Sequence, residues 1–142
     1  MSFAPQPAAT DREPMSRASR ALVVAVTALL LAHLAGGVLA ISTGVNTPGE
    51  AWGGEALLAA PLPMVLAQLL LTLAAVRWPD RRGLVAAALL AAACGVSVTS
   101  AFFDDALASE ELGPGLVAYQ LFLLALTGVV GTCAALRVRA GH

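Results

Sequence analysis

Within the stretch LLLAHLAGGVLA, residues 29–40, one histidine, His33, sits among aliphatic and small side chains. An imidazole in such surroundings is able to shuttle a proton, ligate a metal or haem, or form one end of an interhelical hydrogen bond. The other polar side chains within the apolar runs are Thr27, Gln68, Thr72, Cys94, Ser97, Thr99, Ser100, Tyr119, Gln120, Thr127, Thr132 and Cys133. No Asp, Glu, Lys or Arg interrupts the interior of these runs. Proton- and ion-coupled transporters generally keep a charged group at membrane depth, so His33 alone is left for that part. Bis-histidine haem ligation is disfavoured, because the other histidine, His142, lies outside every apolar run.

Helical spacing groups these side chains. His33 shares a face with Gly36, Gly37 and Ala40, whose small side chains let another helix approach closely. Gln68 and Thr72 lie on one stripe with Pro61 and Ala75. Gln120, Thr127, Gly131 and Ala134 form a comparable stripe. Antiparallel threading brings His33 level with Gln68 near mid-membrane, and Gln120 level with Ser97, Thr99 and Ser100 nearer the outside. The candidate intramembrane polar layer is therefore His33, Gln68, Thr72, Ser97, Thr99 and Gln120, with Gln68 the expected partner of His33. Two roles are open to it: interhelical hydrogen bonding, or the lining of a small cavity with His33 at its floor.

Other chemistry is not written here. The chain has no Gly-rich phosphate loop, no HExxH, no Gly-x-Ser-x-Gly and no embedded carboxylate pair. Cys94 and Cys133 have no metal spacing and read as small buried hydrophobes. Drawn on straight helices they differ in level by roughly 10 Å, too far for a disulfide. No catalytic, cofactor or metal residue is expected, and no cofactor.

The elements that position these groups follow from composition. The chain has 142 residues, mean hydropathy +0.82 and only 12% charged residues, about half the share usual in soluble domains. Four apolar runs are separated by short polar segments. Each is long enough for roughly 20 helical residues, the length that crosses a hydrocarbon core of about 30 Å. The expected fold is an all-α integral membrane four-helix bundle, up-down-up-down. Residues 1–17, rich in Pro and Ala and without periodicity, read as a disordered cytoplasmic tail. Residues 18–142 form one four-span domain, with helices at about 20–42, 56–77, 84–103 and 115–137. The first run is too long for a signal-peptide core and reads as an uncleaved helix. In the second run, APLP places Pro61 and Pro63 near one end. Either the span kinks there, the reading that its full apolar length favours, or the helix starts near Pro61. The third run is alanine-rich, with Ala87, Ala91, Gly95 and Thr99 at intervals of four, which suits close helix packing or a dimer face. The acidic segment DDALASEELGPG reads as a solvated loop, able to form a short helix from Asp104 or Asp105 to Gly113.

All eight basic residues are arginines: Arg12, Arg17, Arg20, Arg77, Arg81, Arg82, Arg137 and Arg139. In the four-span threading every one falls on the same side. The opposite loops carry Glu50, Glu55, Asp104, Asp105, Glu110 and Glu111. The positive-inside bias makes the arginine side cytoplasmic, with both termini there and a bacterial plasma membrane as the expected location. The expected partners are the lipid bilayer and a membrane protein or second copy, not nucleic acid. The leading functional expectation is a non-enzymatic structural or accessory protein acting through helix or outer-loop contacts. The alternative is a small permease or channel subunit built on His33 and Gln68. Reporter fusions after Arg82 and Arg139 should behave as cytoplasmic and a fusion at Gly54 as external; an external signal at Arg81 would sink the four-span threading.

Overall fold

Four helices and no strand make up the ordered elements of the computed structural model, which describes residues 15–54, 56, 58–103 and 113–141. They are α1 (Arg17–Ser42), α2 (Leu62–Arg77), α3 (Arg81–Ser100) and α4 (Pro114–Ala140). Three of them, α1, α3 and α4, are long and apolar enough to cross a membrane. The fourth, α2, is apolar but shorter, at 16 residues. The expected tail lies almost wholly outside the described residues, as does the whole of the acidic 104–112 segment.

Local chemistry sets each boundary. Ser16 caps α1, its hydroxyl accepting the Ser19 N–H at 3.1 Å, so the helix starts at Arg17 rather than at 20. The helix ends in a Schellman motif. Gly44 takes the left-handed φ of 74°, with Gly44 N–H donating to Ile41 O and Val45 N–H to Ala40 O. Pro61 and Pro63 decide the start of α2. The helix begins at Leu62 with Pro61 as its N-cap, six residues later than the span drawn from 56. A proline inside the first turn removes an N–H that had no helical partner anyway. The uninterrupted, kinked span is therefore corrected to a shorter helix. Asp80 caps α3 by accepting the Arg82 N–H, starting it at Arg81 instead of 84. The tightness of the preceding turn requires Gly83, where a Cβ would collide with the Trp78 carbonyl.

Consecutive helices pack on one another, and α4 closes back onto α1. The α3–α4 packing is the most extensive and α1–α2 the thinnest. Leu22, Leu29, Leu90 and Val130 are fully buried at the centre, with Ala75, Ala87 and Ala134 where the helices come closest. The α3 stripe divides: Ala87 is in this core, whereas Gly95 and Thr99 are exposed. Many large apolar side chains point outward, among them Val24, Leu31, Leu70 and Val96, each more than 60% exposed. An apolar exterior this extensive belongs in lipid rather than in water.

The cysteine levels need correcting. Cys94 faces Gly131, and Leu84 faces Gly141, so α3 and α4 are antiparallel and Cys133 lies only two residues from the level of Cys94. Axial distance does not separate them. Two residues rotate a helix by about 200°, which turns Cys133 away from the face that meets Cys94. Both thiols are free.

The glycines of α1 have a specific task. A Cβ on Gly36 would strike the Leu58 carbonyl, and one on Gly37 the Trp52 indole. What approaches this small face is the non-helical connection to α2, together with Tyr119 of α4, and not a second regular helix. By contrast, Gly95 faces open space. Gly36→Ala should therefore destabilise the protein by about 1–3 kcal/mol through overpacking, whereas Gly95→Ala should raise stability by about 0.5–1 kcal/mol. Thermal unfolding of the two variants in the same detergent would check this, and equal effects would contradict the packing described.

Candidate functional site

The two prolines create a problem that His33 solves. Residues 58–61 are non-helical yet largely shielded, with Leu58 fully inaccessible, Ala59 9% exposed and Ala60 and Pro61 half-buried. Backbone N–H groups in such a strip need partners. The Ala60 N–H donates to His33 Nδ1 at 3.1 Å, and the Leu62 N–H donates to Trp52 O at 3.0 Å. A backbone N–H only donates, so Nδ1 carries no proton in this arrangement. The ring is the neutral tautomer with its hydrogen on Nε2.

The neighbouring contacts hold that strip in place. Gly36, one turn along α1, makes room for the Leu58 carbonyl. Tyr119 reaches across from α4, its hydroxyl donating to the Ala32 carbonyl at 2.7 Å. Its ring lies beside Phe122, centroids 5.9 Å apart and tilted by 46°. Below the strip, α2 starts too late to fill the space between the other helices. A cavity of about 340 Å³ is left there, lined by His33, Gln68, Ser97, Ser100, Gln120 and Thr127. Met64, Leu123, Leu124 and several alanines supply its apolar wall.

Four of the expected site residues, His33, Gln68, Ser97 and Gln120, thus meet on one cavity rather than in two separate layers. Gln68 is not the hydrogen-bond partner of His33; the Ala60 backbone takes that place. The Gln68 Oε1 is buried without a hydrogen-bond partner among the described residues. Thr72 and Thr99 do not contribute. The Thr72 hydroxyl donates within its own helix to Gln68 O at 2.7 Å, and that of exposed Thr99 to Gly95 O at 2.8 Å. Each satisfies its only donor locally.

The Ala60 N–H escaped the sequence reading, and Tyr119 was in its inventory of polar side chains but not in the expected layer. The first had a signal: a proline pair inside an apolar run must free backbone groups. The second had only the general rule that a buried tyrosine hydroxyl seeks an acceptor. Ser100 and Thr127 also line the cavity. Their hydroxyls donate to Ser97 O and Leu123 O, leaving their oxygens as acceptors.

Among the described residues, the cavity lining carries no Asp, Glu, Lys or Arg. It offers neutral donors and acceptors beside an apolar wall, an arrangement suited to holding a small uncharged molecule. Among the described residues no three His, Cys, Asp or Glu side chains cluster as metal ligands would. No protein-family model matches this chain, no curated protein matches it, and no solved structure matches it.

The His33–Ala60 bond yields a graded mutational outcome. Asn carries its side-chain oxygen close to where the Nδ1 of histidine lies, so His33→Asn keeps an acceptor for the Ala60 N–H. His33→Leu removes it and should cost about 1–3 kcal/mol, the penalty of a buried unpaired donor. Chemical or thermal unfolding should rank wild type and Asn close together and Leu clearly below; an unaffected Leu variant would remove His33 from this structural role.

Proposed function

We propose that this chain is a non-enzymatic multi-pass protein of a bacterial plasma membrane, whose cavity around His33 and Gln68 holds a small uncharged molecule in the manner of a small permease or channel subunit. All four helices span, and both termini lie on the cytoplasmic side with the arginines. The 16 residues of α2 reach about 24 Å at 1.5 Å per residue. The non-helical strip 58–61, which bends at Leu58 and Ala59, continues the chain beyond that end toward the roughly 30 Å of a full crossing. Irregular backbone is tolerated at such depth where it is buried in protein or lines a cavity, and this strip does both.

The observation that carries the reading is the convergence on one cavity of uncharged polar side chains from all four helices. Its volume of about 340 Å³ falls in the range of small-molecule sites. The cavity lies toward the end of the helices that bears the 43–61 connection, whose residues Ala56, Ala59 and Ala60 help to line it. In the proposed topology this is the outer half. His33 Nε2–H and the Gln68 amide are the groups placed to recognise a ligand bearing both an acceptor and a donor.

A second reading, an accessory protein acting through helix contacts, is favoured by the outer face of α3. Ala88, Ala92 and Gly95 are exposed there on one side of the helix, small enough for another helix to approach.

Cysteine accessibility separates the two. In a Cys94→Ala/Cys133→Ala background, single cysteines replacing Gln68 and Ser97 should react with a small hydrophilic thiol reagent supplied from outside. A cysteine replacing the outward-facing Val96 should not. If the Gln68 and Ser97 positions stay inert while a cysteine replacing Ala92 cross-links two copies, the cavity reading fails and the contact reading stands.

A further inference from the structure

A second concavity lies between α1 and α2, the most thinly packed of the pairs of consecutive helices. It measures about 530 Å³, and its lining includes Val23, Leu30, Leu69, Leu73, Val76 and Arg77. It has a direction. On α2 it runs from Leu69 to Arg77, about 12 Å at the helical rise. Along α1 it runs back from Leu30 past Val23 and ends at Met15, just ahead of that helix. One end is hydrocarbon-lined and the other ends at the exposed guanidinium of Arg77. Between its ends the lining is apolar except for two threonines, Thr27 and Thr72, and the Thr72 hydroxyl is already committed to Gln68 O.

Charge is unbalanced at the Arg77 end. Among the described residues it carries Arg17, Arg20, Arg77, Arg81, Arg82, Arg137 and Arg139, against Asp80 alone. The Asp80 carboxylate is engaged with the Arg82 N–H as the cap of α3, and Arg77 has no ion pair among the described residues. An elongated apolar slot with a free cation at its mouth is complementary to one class of molecule.

We propose that the α1–α2 cleft seats an acyl chain of a phospholipid whose anionic phosphate headgroup is held by Arg77. This rests on the membrane reading above. It assigns a specific lipid site to a surface that would otherwise be part of the general lipid-facing exterior. The chain lies along Leu69, Leu73 and Val76, and the headgroup stays at the level of the cytoplasmic arginines. A lipid held there fills the gap in the weakest contact between consecutive helices and so couples α1 to α2.

Native mass spectrometry of the full chain, released from mixed phosphatidylglycerol and phosphatidylcholine vesicles, tests this. Wild type should retain phosphatidylglycerol preferentially. Arg77→Gln should lower that preference about tenfold, the scale of losing a charge-assisted hydrogen bond to the headgroup. Arg139→Gln removes the same charge outside the cleft and should leave the preference unchanged. Leu73→Trp, at a side chain 55% exposed and so tolerant of replacement, should fill the slot and displace lipids of both kinds. Equal losses in the Arg77 and Arg139 variants would reduce the effect to general surface charge and overturn the site. Finding a second copy in the cleft by cross-linking between Leu73→Cys and Val23→Cys would overturn it too. Extraction of the wild-type chain from membranes by alkaline carbonate would overturn the membrane reading together with this one. Firm membrane retention without lipid preference would overturn this one alone.

Discussion

The backbone N–H of Ala60 cannot be left unpaired, and much of the molecule is arranged around pairing it. Pro61 and Pro63 keep the helix from starting before Leu62, so the chain reaches α2 as a bent, non-helical strip over residues 58–61. His33 Nδ1 takes the Ala60 N–H. For the imidazole to reach it, the strip has to lie directly on α1, and this is why residue 36 has no side chain to collide with the Leu58 carbonyl. Breaking a helix at that depth without such a partner would cost about 1–3 kcal/mol for the orphaned donor alone. The proline pair, the histidine and the glycine are one device spread over two elements.

The cavity is a consequence of the same device. Had α2 begun at residue 56, another turn and a half of helix would occupy the space beside His33, Ser100 and Gln120. Beginning at Leu62, it leaves that volume open and ends it against the Ala59–Pro61 strip. Polar side chains from the other helices face the opening. Thr127 and Ser100 spend their protons on their own helices, which leaves acceptor oxygens toward the space. The apolar wall and the absence of formal charge among the described lining side chains underlie the proposed class of occupant, as hydrogen bonds to a neutral group cost far less desolvation than burying an ion.

Three helices were legible in the sequence because long apolar runs with polar ends admit few alternatives. Their ends shifted by one to three residues where a cap won over hydropathy, as Ser16 did for α1 and Asp80 for α3. The start of α2 was less legible. Hydropathy counts Leu57 to Ala60 as span, whereas the two pyrrolidine rings decide the backbone, and the pattern leaves open whether a kink or a late start results. The site was legible as an inventory and as faces, since helical periodicity put His33 beside Gly36 and Gly37. Its partners were not. Gln68 was the nearest polar side chain by level, but the acceptor was claimed by a backbone group of a non-helical strip, and no side-chain pattern encodes that. The cysteine levels failed for a related reason: a register estimate from run boundaries carries the error of both ends, and the true separation of the thiols is rotational.

The histidine that first invites a chemical reading therefore holds two positions through one ring. Nδ1 is bound into the architecture, and the hydrogen this forces onto Nε2 makes that nitrogen a donor beside the cavity. The two ends are linked. A ligand that takes a hydrogen bond from Nε2–H reinforces the tautomer in which Nδ1 accepts from Ala60. A second proton on the ring would set two donors, Nδ1–H and the Ala60 N–H, against each other at 3.1 Å. The strip leading into α2 would then have to give way, and with it the Leu58 contact on Gly36. A neutral imidazole is thus built into the way the chain turns into its second helix, and on the proposed reading a ligand held there would be a hydrogen-bond acceptor that leaves the ring uncharged.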